Sequence, residues 1–252
     1  MKVIAAIAEK GGVGKTAIAC VVAAGLRLAG ARVLVVGLDI QPAAAAVFAL
    51  PHPGVSGVAQ LLLGEEVQPV AGHLDVEVLS GGPALDGGDI RALRSDELRF
   101  GLQRLADRYD TVVIDVAPVI LHLHRLALDA ADLALVISDA QCMESLASLA
   151  KLIGEIATAK QRQAYSPGEV IPVINKVNRS HTLDCQLADQ VAERYGADHT
   201  IIEIPHANIV PTAIARRRPE MALNAHSPVQ QPFRQLIAQA GQLIVRSPEW
   251  SG

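Results

Sequence analysis

Residues 8–19 read AEKGGVGKTAIA: three glycines bracketed by two lysines, Lys10 and Lys15. The apolar run Val3–Ala8 before them reads as a strand. Lys15–Ala29 after them carries a helical pattern that stops near Gly30. A glycine-rich turn between a strand and a helix forms a cradle for phosphate. Without a Cβ in the way, backbone N–H groups can turn toward an anion, and the starting helix aims the positive end of its dipole at the same point. Lys15 adds a full charge for the outer phosphates, and the Thr16 hydroxyl adds a ligand for Mg2+. The expected nucleotide contacts are therefore Gly11, Gly12, Val13, Gly14, Lys15, Thr16 and Ala17. Lys10 has no place in this scheme, because the phosphates it would meet are already served by Lys15.

Outside the loop, short β-branched runs alternate with helical patterns. Strands are expected at Arg32–Val36, Val76–Leu79, Thr111–Asp115, Leu133–Ser138, within VIPVINKVN and at Thr200–Ile204. Helices are expected at Ser56–Leu63, Asp96–Asp107, Glu144–Ala159, Leu183–Tyr195 and Pro232–Val245. This rhythm, with strands that are almost wholly apolar, predicts an α/β fold: one doubly wound, mostly parallel sheet with helices on both faces. No internal repeat or low-complexity linker interrupts it. Residues 1–245 are read as one domain and residues 246–252 as a short flexible tail.

Composition narrows the function. Aromatic residues make up 3% of the chain, too few for base or sugar stacking to be its main recognition device. The formal net charge of −4 argues against a globally basic nucleic-acid binder while leaving room for a local patch. Cys20, Cys142 and Cys185 show no CxxC spacing, which suggests neither a disulfide framework nor a zinc site and fits a reducing cytoplasm. The N-terminal residues lack a signal-peptide core, and no apolar stretch is long enough to span a bilayer. The histidines His122, His124, His206 and His226 have no metal-ligand spacing and are expected at the surface or as satisfied core residues.

KGGVGKT resembles the signature of the deviant Walker A ATPases, which include the ParA partition proteins, the MinD positioning proteins and the nitrogenase-type iron proteins. The resemblance implies a P-loop ATPase with ATP and Mg2+ as cofactors. It also implies a homodimer formed on ATP, in which Lys10 reaches the nucleotide of the facing subunit; read alone, Lys10 is a solvated charge at a strand end. VVGLDIQPAAA resembles the ParA pattern DxDPQ, which makes Asp39 the residue that orients the attacking water; otherwise Asp39 caps the next segment. Gly37, Ile40 and Pro42-Ala43-Ala44 depart from that pattern and bear on the rate of hydrolysis. YDTVVIDVAP resembles the Walker B strand, placing Asp115 beside Thr16 at Mg2+ through water, with Val116-Ala117-Pro118 as a second switch.

By the same resemblance, Asn175 in VINKVN reads the adenine edge, which an amide with both donor and acceptor suits, although a turn asparagine fits the residues equally. Pro205 and the loop after it would flank the base. Arg216, Arg217 and Arg218, with Lys176 and Arg179, are the candidate contacts for DNA bound without sequence preference. The arginines could instead be a solvated loop or pair with Glu220.

The iron proteins of this family carry a cysteine shortly after the Walker B aspartate, and DVAPVILHLHRLAL contains none, so an iron–sulfur cluster is not expected. In the last helix, Phe233, Leu236, Ile237, Ala240, Leu243 and Ile244 form a stripe expected to pack on the domain rather than on membrane. The resemblance thus implies a cytoplasmic ParA-type ATPase, nucleoid-associated when ATP-bound and stimulated by a ParB-like partner, that partitions or positions plasmid or chromosomal DNA. The alternatives are a MinD-like positioning regulator and a nucleotide-dependent scaffold for another cargo.

Overall fold

Strand β1 (Lys2–Ile7) alternates its side chains between two cores: Ile4 and Ala6 face one side of the sheet, Val3 and Ala5 the other. The computed structural model describes residues 1–49, 57–118, 121–162 and 167–245. Within these, β1 is followed by α1 (Lys15–Leu28), β2 (Val33–Leu38), α2 (Ala43–Phe48), α3 (Val58–Leu62), β3 (Val70–Ala71), β4 (Glu77–Leu79), α4 (Gly88–Arg91) and α5 (Glu97–Gln103). The chain continues with β5 (Thr111–Val116), α6 (Leu121–Ala130), β6 (Leu133–Asp139), α7 (Met143–Gln161) and β7 (Glu169–Val177). It ends in α8 (Thr182–Tyr195), β8 (Ile202–Pro205), α9 (Ile209–Ala215) and α10 (Gln230–Val245).

The strands form one eight-stranded sheet in the order β3-β4-β2-β5-β1-β6-β7-β8, parallel except for β3 against β4. β1 lies inside the sheet between β5 and β6, so the loop after it opens at the carboxyl edge where the winding changes side, the usual place for ligands in this architecture. The expected doubly wound sheet is present.

Helix α1 is buried along most of its length because α10 covers it. Phe233, Leu236 and Ala240 are nearly inaccessible, and Ile237 packs so closely that a Cβ at Gly25 would lie 2.1 Å from its Cδ1. The apolar stripe of the last helix therefore faces the domain as far as these residues go; the Leu243 and Ile244 side chains and residues 246–252 lie outside the described residues. No helix among the described residues is long and apolar enough to cross a membrane.

Four helices arise where no helix was expected, the shortest being the single turn α4. Ala43–Phe48 is short but alanine-rich, so helix propensity prevails directly after Pro42. Leu121–Ala130 buries Leu123, Leu126 and Ala127 against the sheet. Ile209–Ala215 carries Pro211 in its first turn, where the missing N–H costs little. The expected Ser56–Leu63 helix is seen as Val58–Leu62, and Ser56 lies outside the described residues.

Candidate nucleotide site

The loop from Lys10 to Gly14 leaves β1 and feeds α1 directly: the Gly14 carbonyl accepts the first helical bond, from the Ile18 N–H at 3.0 Å. Gly12 and Gly14 have φ of 80° and 95°, a left-handed geometry that favours glycine. Gly14 is doubly constrained, since a Cβ there would sit 2.2 Å from Asn175 Nδ2. The N–H groups of Gly14, Lys15 and Thr16 find no acceptor among the described residues, so the start of α1 presents unpaired donors.

Beneath the loop, the register that pairs Ala6 with Asp115 brings the end of β5 under α1. Lys15 Nζ donates to Asp115 Oδ1 at 2.5 Å, and Thr16 Oγ1 donates to Asp115 Oδ2 at 2.8 Å. Asp115 is 1% exposed. Burial pushes its carboxyl above the ordinary value, with Lys15 and Thr16 pulling the other way. Asp39, just past β2, borders the same space and accepts the Gln41 N–H on Oδ1 at 2.9 Å.

Strand β7 closes the other side. Asn175 Nδ2 donates to the Val13 carbonyl at 2.7 Å, and Lys176 Nζ donates to the Gly12 carbonyl at 2.6 Å. The amide expected at the base edge thus holds the loop, and the lysine assigned to DNA is beside it. Lys15, Thr16, Asp39, Asn175 and Lys176 line a cavity of about 620 Å³, which is also walled by Pro205, His206, Val210 and Ile214. A larger recess of about 830 Å³ lies between α6 and α7, but among the described residues no glycine-rich loop lines it.

Lys10 also borders the cavity, with its ammonium directed to α7: Nζ lies 2.9 Å from Cys142 Sγ and 3.1 Å from Ser145 Oγ. The hydrogen bond from Lys10, helped by Ser145, lowers the Cys142 thiol below its ordinary range, whereas burial raises Cys20 well above it. Iodoacetamide near neutral pH should therefore alkylate Cys142 at least about tenfold faster than Cys20; peptide mapping that finds Cys20 modified first contradicts the Lys10–Cys142 contact. Neither Cys142 nor Ser145 was assigned a site role from the sequence, because 132 and 135 residues separate them from Lys10.

The remaining candidates are spread over the surface. Arg179 pairs with Asp189 at 3.0 Å and Glu203 at 2.5 Å, and Arg218 pairs with Glu220 at 2.9 Å, the alternative the sequence had left open. Arg216 and Arg217 are exposed and make no ion pair among the described residues. His124 is a satisfied core residue whose Nε2 lies 2.8 Å from the Ala117 carbonyl, and burial lowers its pKa. No cluster of metal-ligating side chains occurs among the described residues.

A family model for an AAA domain matches residues 1–166. The chromosome partitioning protein ParA of Myxococcus xanthus (strain DK1622) is 32% identical over 163 residues, which cover 61% of this chain and 57% of that protein. The chain belongs to the ParA/MinD family. Solved members of similar fold include a variant of McdA from Cyanothece in complex with ATP, with TM-score 0.81 at 18% identity over 96% of both chains. The cell division ATPase MinD of Pyrococcus furiosus has TM-score 0.73 at 20% identity, covering 96% of this chain and 99% of its own. This ParA/MinD chain therefore shares its overall fold with these structures across nearly its full length.

Proposed function

We propose that this chain is an ATP-dependent, dimerising ATPase of the ParA type that positions or partitions DNA, with residues 1–245 as its ATPase domain. The observation that carries this reading is the convergence of Lys10, Lys15, Thr16 and Asp39 on one cavity at the carboxyl edge of the sheet, with Asp115 bonded to Lys15 and Thr16. Gly11 to Ala17 bind the phosphates, Pro205 flanks the base beside Asn175, and Lys15 leaves Asp115 for the outer phosphate oxygens. Thr16 and Asp115 would hold Mg2+, which neutralises charge developing on the β- and γ-phosphates. Asp39 orients the water. Lys10 leaves Cys142 and Ser145 to meet the nucleotide of the facing subunit, which couples hydrolysis to pairing.

The DNA surface rests on Arg216 and Arg217, because Arg179 and Arg218 are neutralised by their own carboxylates. A ParB-like protein is the stimulator that such a switch needs, and the nucleoid its cytoplasmic location. Sedimentation with Mg2+ and a non-hydrolysable ATP analogue should convert monomer to dimer, and DNA should be retained only in that state. Reversing both charges, Arg216→Glu with Arg217→Glu, should weaken DNA retention roughly tenfold or more with ATP affinity unchanged. A monomer in saturating nucleotide overturns the switch, and retention indifferent to both reversals overturns the DNA surface.

A further inference from the structure

We infer that Asn175 and Lys176 form a clasp that sets the direction of the phosphate-facing amides, with Lys176 a positioning residue of the nucleotide site. The inference rests on the nucleotide reading above and assigns Lys176 to that site instead of to DNA. In a planar trans peptide the C=O and N–H point in opposite directions. The Lys176 ammonium holds the Gly12 carbonyl, which fixes the N–H of Val13 on the far side of the same peptide. The Asn175 amide does the same for the Val13 carbonyl and the Gly14 N–H. A loop with glycines at 11, 12 and 14 has many competing conformations, and ordering it only when ligand arrives would cost affinity.

The backbone of β7 is bent to make this clasp. In a regular strand, successive side chains point to opposite faces, so Asn175 and Lys176 could not both reach one loop. Here the pairing of β7 with β8 shifts register between Ile174 and Val177, and Lys176 takes φ of 58°. A non-glycine residue held in that conformation is costly, and such strain gathers where geometry serves a site. Asp139 backs the arrangement: it is 5% exposed, its Oδ2 lies 3.8 Å from Lys176 Nζ, and its Oδ1 has no hydrogen-bond partner among the described residues. Its charge keeps the ammonium at the loop.

The strained backbone also supplies the test. Lys176→Gly removes the ammonium yet suits φ of 58° better than lysine does, so the variant should fold with an unfolding midpoint no lower than wild type. Calorimetric titration of wild type, Lys176→Gly and Lys176→Arg would use three probes: ADP with Mg2+, pyrophosphate with Mg2+, and adenosine. Lys176→Gly should lose affinity for ADP and pyrophosphate by roughly tenfold or more, the size expected for one charge-assisted hydrogen bond, and keep its affinity for adenosine. Lys176→Arg, which can still donate to Gly12, should recover most of the loss. Equal ADP affinity in wild type and Lys176→Gly overturns the clasp. So does an equal loss for adenosine, or a loss of DNA retention with nucleotide affinity intact. Wild-type protein that binds no ADP overturns the nucleotide reading itself, and the clasp with it.

Discussion

Replacing Lys15 with alanine should weaken ATP binding by roughly 100-fold or more and also destabilise the protein in the absence of nucleotide. The first effect follows from removing the one cation at the start of α1, where truncating a desolvated charge partner costs several kcal/mol. The second follows from Asp115, which is 1% exposed and keeps only the Thr16 hydroxyl once Lys15 is gone. Breaking a buried pair from one side costs about 3 kcal/mol at neutral pH. The pH dependence has a definite sign. The folded-state pKa of Asp115 is already raised by burial and rises further without Lys15, so the folded state holds its proton to higher pH than the unfolded chain does. Stability therefore falls as pH rises from the ordinary carboxyl range through the folded pKa, and the deficit of the variant should shrink as pH is lowered. Urea unfolding at two pH values reads this directly. Adding Asp115→Asn should restore most of the lost stability but none of the ATP affinity. A variant with full ATP affinity, or a deficit that grows on acidification, is incompatible with the buried pair.

Lys10→Ala should do the opposite: leave the affinity of a single protomer for ATP within about threefold and abolish ATP-dependent pairing. The Lys10 side chain borders the cavity and its ammonium is bonded to Cys142 and Ser145 at the start of α7, not to the loop beside it. Its removal strands no buried charge, because Cys142 and Ser145 retain each other at 3.4 Å. Titration of nucleotide and sedimentation of the same sample separate the two quantities. Equal loss of affinity in Lys10→Ala and Lys15→Ala would show that both lysines serve one protomer's own nucleotide.

Much of this site was legible before any coordinates. Gly11 to Thr16 announce their conformation because glycine spacing and a helix start are local properties, and Thr111–Asp115 announces itself because a buried parallel strand is continuously apolar. Arg218 with Glu220 is two residues apart and was readable as a pair. Less legible were short elements: α2, α6 and α9 begin near prolines and span too few turns for periodicity to speak, and β3 is a two-residue edge strand. Least legible were the partners of polar side chains. Asn175 meets Val13 across 162 residues and Lys176 meets Gly12 across 164, so neither contact leaves a mark on the neighbouring sequence.

The sequence alone determined the phosphate loop, its attachment to a strand and a helix, and the layered class of the fold, since each rests on residues within a few turns of one another. Asp115 from β5 was already placed beside that loop by resemblance; only the tertiary structure decided that Cys142 and Ser145 from the β6–α7 junction take up Lys10, and that Asn175 with Lys176 from β7 bond the loop's carbonyls. Strand order sets those neighbours, and it depends on how long crossovers bury their apolar faces together. One irregular step in β7 then turns two consecutive side chains onto neighbouring carbonyls of the loop, Val13 and Gly12.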